Sequence, residues 1–304
     1  MRLMSAATSR QEIAARERFA FGENWQRFLS ILDERRILKA EDSLRRMLEV
    51  SDLRGKTFLD IGCGSGLFSL AARRLGARVH CFDYDPQSVA CAHELRRRYF
   101  PEDPDWRIEE GSALDAGYIG GLGVFDVVYS WGVLHHTGAM WHGLDHTTGL
   151  VAPDGKLFIA IYNDQGKISD RWRAIKRAYN RLPRGLRFLV TIPVLVHLYW
   201  RSTVKDFQRG QPFETWRNGG KERGMSRWRD LIDWVGGYPF EVAKPEAILD
   251  FYLRRGFALT RLTTLWRVLG LQRIRLRPDD SREALSGPKA SFVTAPSGLP
   301  RRHA

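Results

Sequence analysis

The segment FLDIGCGSGLFSLAARRLG, residues 58–76, constrains this chain more than any other. An apolar run ends in alternating glycines, Gly62, Gly64 and Gly66, and then resumes with helical spacing. That pattern reads as a strand, a tight turn and a helix. Glycine in such a turn lets the backbone bend sharply and approach a ligand with no Cβ in the way. The N-terminus of the helix that follows can receive a carboxylate on its N–H groups. Asp60, at the end of the strand, is placed to accept from an ammonium. Cys63 sits inside the turn, either as part of the binding loop or, more simply, as a small filler.

The stretches around this segment predict the rest of the sheet. TFLDIG, RVHCFDYD (78–85), WRIEEG (106–111), FDVVYSW (125–131) and KLFIAIYN (156–163) read as strands. Helical segments fall between them at Gly66–Leu75, Gln87–Phe100 and Trp141–Leu150. Strands and helices alternating at this spacing argue for a parallel sheet covered on both faces. The apolar strands suit burial on both sides. FALTRLTTLW and LQRIRLR would close the sheet as an antiparallel pair, after a helix begun by Pro245 and stopped at Gly256. The expected fold is α/β: a Rossmann-like, seven-stranded, mostly parallel sheet with an N-terminal helical cap and an inserted lid. The cap shows helical spacing from Trp25 to Val50. Residues 1–20 read as a mobile arm and 21–277 as the domain, with an insertion at about 165–240 that includes a helix over 170–180. Residues 278–304, rich in Ser, Pro, Gly and Arg, read as a disordered tail.

The two charged groups that the loop is built to meet are those of an amino acid. Asp83 ends the second strand 21 residues after Gly62, where an acid can accept both hydroxyls of a ribose. Tyr84 follows, placed to lie against an adenine face. S-adenosylmethionine (SAM) carries an amino-acid moiety, a ribose and an adenine; NAD lacks the first. A dinucleotide-binding fingerprint would also need glycine at position 67, which is Leu67. A purely structural role, with glycines for the turn and Asp83 as a strand cap, explains each residue singly but not their common register.

With these residues in place, the chain resembles the class I SAM-dependent methyltransferases over about 57–163. FLDIGCGSG is similar to their first motif, HCFDYDP to the second, EEGSALD to the third and FDVVYSWGVLHHT to the fourth. The resemblance implies SAM as cofactor, held by Asp60, the loop Gly62–Gly66, Asp83, Tyr84 and Ser130. In the third motif Ser112 stands where the family often has an acid against the adenine amine, which moves that contact toward the backbone near Ala113. The chain is further similar to the ubiquinone biosynthesis O-methyltransferases and bacterial enzymes like them. An aromatic helix (GENWQRF), VLHH after strand four and an insertion before a Pro-initiated helix carry that likeness. It implies O-methylation of a small hydroxylated acceptor: a prenylated quinone precursor, or a glycan or lipid-linked sugar.

Transfer of a methyl to a hydroxyl needs alignment and a route for the proton. His135 and His136 follow strand four, at the carboxyl edge where open α/β sheets bind ligands, and histidine is suited to act as a base near neutral pH. His136 matches the family's histidine; His135 replaces what is often an acid. The nucleobase-amine methylases carry an acid or Asn before Pro-Pro-aromatic, where this chain has SWGV, and none of Cys63, Cys81 and Cys91 sits as a cytosine-C5 nucleophile would.

The formal net charge of +13 invites an acidic partner. The charge is local: between Arg171 and Arg209 lie ten Lys or Arg and one acid, Asp206. Within that stretch FLVTIPVLVHLYW (188–200) is too short to span a bilayer, and Pro193 interrupts a simple helix. Three roles are open to it: a lid over the acceptor pocket, a membrane-interface segment within 183–209 with arginines at headgroups, or a partner surface. Nucleic acid is not the expected partner, since no RNA-binding motif accompanies the charge. An RNA methyltransferase and a non-catalytic SAM-binding module are the competing functions. Three cysteines without a CxxC pair give neither disulfide framework nor zinc signature. The opening residues lack an apolar run. Both point to the cytoplasm, at most peripheral to the inner membrane face. No feature sets an oligomeric state or a metal.

Overall fold

Apolar strands joined by amphipathic helices bury themselves only when the helices cover both faces of one sheet, and the computed structural model shows that arrangement. It describes residues 19, 21–211, 227–264 and 271–279. The strands are β1 (Thr57–Ile61), β2 (Arg78–Asp83), β3 (Trp106–Glu110), β4 (Phe125–Trp131), β5 (Val151–Tyr162), β6 (Phe257–Thr264) and β7 (Leu271–Pro278). They form a seven-stranded sheet in the order β3-β2-β1-β4-β5-β7-β6. The first five are parallel, and β7 runs antiparallel between β5 and β6. The chain winds outward through β2 and β3, then returns to place β4 on the other side of β1. Ligands of open α/β sheets bind at the carboxyl ends of strands where the order reverses in this way.

One face is covered by α1 (Phe21–Leu29), α2 (Glu34–Leu48), α3 (Leu67–Arg74) and α4 (Pro86–Tyr99). Their contacts with the sheet are Leu29, Ile37, Leu44, Leu70, Val89 and Leu95, against Phe58, Tyr129 and Phe158. The other face carries α5 (Ala116–Gly120), α6 (Met140–Thr148) and a later helix, α10 (Pro245–Leu253). Ile119, Leu144, Ile248 and Tyr252 pack there on Leu59, Val128 and Ile159. Between β5 and α10 the insertion forms α7 (Lys167–Arg181), α8 (Phe188–Gln208) and α9 (Arg227–Gly236). These make a separate apolar cluster of Trp172, Tyr179, Val194, Leu231, Val235 and Phe240, joined by Phe19.

Four expectations need correction. The helical spacing from Trp25 to Val50 belongs to two helices, not one: the chain breaks after Leu29, and Asp33 caps α2 by accepting from the Arg36 amide at 2.9 Å. Pro193 does not interrupt α8, which runs through it. The proline removes one bond to the Leu189 carbonyl, and Leu189 is exposed, so water can satisfy that oxygen. The arm assigned to 1–20 is anchored at Phe19, which is buried and donates its amide to the Tyr238 carbonyl at 3.0 Å. The tail assigned from 278 starts later, because Pro278 still pairs with Phe257. The remaining arm and tail, 1–18 and 280–304, lie outside the described residues.

Candidate active site

The glycine turn is fastened to the end of β2. Gly62 and Cys63 both donate their amides to the Phe82 carbonyl, at 2.9 and 3.1 Å. Gly64 donates to Asp83 Oδ2 at 2.9 Å, and Asp85 donates to Asp83 Oδ1 at 2.9 Å. Those two bonds fix the orientation of the Asp83 carboxylate at the end of β2. Gly62 needs its φ of +73° and its lack of side chain, since a Cβ there would lie 2.3 Å from Val133. Gly64 (φ +55°) lies under the ring of Trp25, which a Cβ would meet at 3.0 Å. The N-terminal cap thus closes directly over the loop.

Behind the turn, Asp60 is buried and accepts from Ser69 Oγ at 2.6 Å. Burial pushes its carboxyl up to about 7; the Ser69 bond opposes this and the nearby Asp83 charge adds to it. Cys63 hydrogen-bonds to Cys81 and is buried, and both effects push its thiol well above the usual range. It stays protonated and acts as a filler of the loop.

A cavity of about 1220 Å³ opens at this switch point. Asp60, Gly62, Cys63, Gly64, Asp83, Tyr84, Ser112, Ala113 and His136 all line it. The acids gather at the β1–β2 end. Beyond them the walls are aromatic, formed by Phe68, Trp131, Tyr162 and Trp234. Trp131 stacks on Phe68 with centroids 5.5 Å apart, and the Arg273 guanidinium lies over the Trp131 ring, 4.6 Å from its centroid.

The two histidines occupy a short helical turn, Leu134–His136, after β4. His136 lines the cavity, and its Nδ1 lies 2.6 Å from the Pro239 carbonyl. A carbonyl only accepts, so Nδ1 carries the proton and Nε2 holds the lone pair in the neutral ring. His135 is turned inward, away from the cavity lining. It is 1% exposed, its ring centroid is 4.1 Å from that of Tyr162, and its Nδ1 finds no partner among the described residues. Burial, with His136 and Lys176 nearby, holds His135 well below the usual histidine range, so it stays neutral. The same turn is clamped from outside: Glu241 donates its amide to the His135 carbonyl and accepts the Met140 amide on its carboxylate.

Residues 59–157 match the family model described as the methyltransferase domain. Among curated proteins, the ribosomal protein L11 methyltransferase of Alteromonas mediterranea is 49% identical over 59 residues, which cover 19% of this chain and 20% of that protein. The ubiquinone biosynthesis O-methyltransferase of Xanthomonas oryzae pv. oryzae is 34% identical over 112 residues, 37% of this chain and 45% of that one. The chain therefore spans less than half the length of these curated relatives. The fold is similar to that of PKMT2 from Rickettsia typhi in complex with AdoHcy, with a TM-score of 0.51, 13% identity and coverage of 79% of this chain and 52% of that one. The matched segment is a methyltransferase domain, and it contains the glycine turn, Asp60 and Asp83.

Two residues expected at the cofactor of this methyltransferase core stand apart from the cavity lining. Ser130 is buried and donates its hydroxyl to the Ile61 carbonyl at 3.3 Å, tying β4 to β1. Strand parity explains this: Tyr129 and Trp131 share one face of β4 and line the cavity, and Ser130 faces the other way. Gly66 caps α3 with a φ of +79°, and a Cβ would meet the Ala92 backbone at 2.9 Å. Its role is close packing of α3 on α4.

The methyltransferase cavity also has walls that the motifs do not announce. Phe19, Phe21 and Trp25 come from the N-terminal cap, Leu198 and Tyr199 from α8, and Trp234 from α9. Beside them Lys176 is fully buried in a box of rings, 4.8 Å from Trp234, 4.9 Å from Phe240 and 5.9 Å from Tyr162, and donates to the Trp234 carbonyl. Burial pushes its ammonium down to about 7. Aromatic residues at the carboxyl ends of β4 and β5, Trp131 and Tyr162, were the available sequence signal for the acceptor side.

Proposed function

We propose that this methyltransferase methylates an oxygen of a small hydroxylated acceptor, with His136 as the base. The observation that carries the reading is the place of His136 in the cavity wall, with its Nδ1 bonded to the Pro239 carbonyl, so that Nε2 is the basic nitrogen of the neutral ring. The aromatic walls favour a flat or prenylated acceptor, as quinone precursors are; the 34% identity to a ubiquinone biosynthesis O-methyltransferase supports the same class.

The residues present fit the cofactor. Asp60, buried and raised to about 7, gains a compensating charge from an amino-acid ammonium. Asp83, oriented by the Gly64 and Asp85 amides, accepts from ribose hydroxyls. Tyr84, Ser112 and Ala113 form the adenine end. When bound, SAM supplies an electrophilic methyl on a sulfonium that is already a good leaving group. The protein's share is positioning and proton removal. The cap residues Phe21 and Trp25 and the α8 residues Leu198 and Tyr199 exclude water from the cavity. His136 Nε2 takes the acceptor's hydroxyl proton, and the Pro239 carbonyl stabilises the imidazolium through Nδ1–H.

The test is transfer of labelled methyl from SAM to catechol-type and prenylated phenol acceptors, with RNA and protein fractions in parallel. Label on a phenolic oxygen, reduced strongly by His136→Ala at unchanged SAM affinity, supports the proposal. A kcat independent of pH across neutrality removes His136 as base. Label found only on RNA, in a salt-sensitive manner, assigns the basic face a substrate role instead.

A further inference from the structure

Helix α8 carries two apolar faces, and among the described residues only one of them is packed. The inner face buries Thr191 and Val194 and sends Leu198 and Tyr199 to the cavity wall. The outer face shows Leu189, Ile192, Val196, Trp200, Val204 and Phe207, each 45–55% exposed. These positions recur three or four residues apart, so they form one continuous stripe along the helix. An exposed apolar stripe of this length marks an interaction surface in a folded protein.

Charge decides what the surface fits. Arg201, Lys205 and Arg209 are exposed along the second half of α8, and Arg187 precedes its first turn. The helix packed beside it, α7, adds exposed Arg171, Arg177 and Arg181. On these two helices the acids are Asp170, in the first turn of α7, and Asp206, which is buried. No described helix is long and apolar enough to cross a membrane. An apolar stripe bordered by cations, on a helix that does not span, has the chemistry of a segment lying in the plane of an anionic bilayer.

We propose that α8 docks this protein on an anionic lipid surface, with its outer stripe at the headgroup–acyl boundary and the flanking cations on the headgroups. Because Leu198 and Tyr199 lie on the same helix, docking sets one wall of the cavity against the bilayer. An amphiphilic acceptor dissolved in that bilayer then meets the cavity without crossing water. The docking itself does not depend on the identity of the acceptor, and its test needs no methyl transfer.

The experiment is co-sedimentation of the full chain with vesicles of phosphatidylcholine mixed with phosphatidylglycerol, and of phosphatidylcholine alone. Binding is expected to the mixed vesicles, much weaker binding to the neutral ones, and a steady fall with salt. Ile192→Glu with Val196→Glu is expected to weaken binding at least tenfold. Arg201→Gln with Lys205→Gln is expected to weaken it about fivefold per cation. All these positions are exposed, so SAM affinity and unfolding temperature should stay at wild-type values, which checks that the variants fold. Absence of binding to the mixed vesicles overturns the proposal. So does binding that neither pair of substitutions changes, which would place the contact elsewhere on the chain. A dimer in sedimentation velocity that the glutamates dissolve, with no vesicle binding, would assign the stripe to a second copy.

Discussion

The sheet core and the inserted helices use apolar residues in opposite ways. In β1, β4 and β5 the side chains are buried on both faces, between α2–α4 on one side and α5, α6 and α10 on the other. In α8 one apolar face packs inward and the other stays exposed. The charged groups follow the same division. The core places its two functional acids, Asp60 and Asp83, at the mouth of the sheet, and the insertion gathers its charge as arginine and lysine on outer surfaces. Two charged groups of the insertion are buried: Asp206 on α8, and Lys176, which sits in a box of rings. A sheet core satisfied on every side can keep a fixed cofactor geometry. A helix satisfied on one side only is free to meet something else. Under the proposed function, the division separates the binding of SAM from the choice of acceptor and surface.

That contrast can be broken by substitutions in order of expected effect. His136→Ala should lower kcat roughly 100-fold or more, the range of lost general-base catalysis, and leave SAM affinity unchanged; rapid kinetics with a phenolic acceptor and a separate SAM titration check the split. If affinity falls with kcat, the histidine turn belongs to the cofactor end, and the separation fails.

Asp60→Asn should weaken SAM about tenfold or more and flatten its pH dependence. In the wild type the carboxyl titrates near 7, so it is protonated below that pH and its attraction for an ammonium is lost as pH falls from 8 to 6. Without ligand the sign for stability is the reverse. A carboxyl raised from 3.8 to about 7 costs stability as pH rises through that window, so Asp60→Asn should raise the unfolding temperature at pH 8. Calorimetric binding at three pH values and thermal melts read both effects.

Lys176→Met should stabilise the insertion by about 1–2 kcal/mol, as replacing a buried charge by an apolar side chain often does. The folded ammonium is lowered from 10.5 to about 7. In that window the unfolded chain binds more protons, so wild-type stability climbs as pH rises from 7 toward 10.5 and the variant's does not. Equal slopes in denaturant melts across this range would show that Lys176 is hydrated in solution.

The smallest effect is expected for Gly64→Ala. Its φ of +55° costs an L-residue roughly 1–2 kcal/mol, and the new Cβ must push Trp25, 3.0 Å away. A modest loss of SAM affinity, recovered when Trp25 is also shortened, would show that the cap presses on the loop.

The core was legible because its signals are local. Apolar runs bounded by glycine locate β1, β2 and β4 to within a residue or two, and Asp60, the glycines and Asp83 sit where their spacing placed them. Ser130 was misjudged by one step of strand parity, which motif likeness does not register and the alternation of β4 does. The insertion was less legible because its periodicity is ambiguous. A helix apolar on two faces resembles a buried run, and a proline near its start resembles a break, although the freed carbonyl lies where water reaches it. The cavity walls at Phe21, Trp25, Tyr199 and Trp234 come from four segments far apart in sequence, and only packing brings them together.

A SAM site formed by the loop between β1 and α3, with Asp83, must show itself as direct binding. Calorimetric titration of the full chain with SAM and with its demethylated product tests it directly. Both are expected to bind in the micromolar range, and that binding is expected to be lost in Asp83→Ala at unchanged unfolding temperature. Absence of binding to either ligand, or equal affinity in Asp83→Ala, would contradict it.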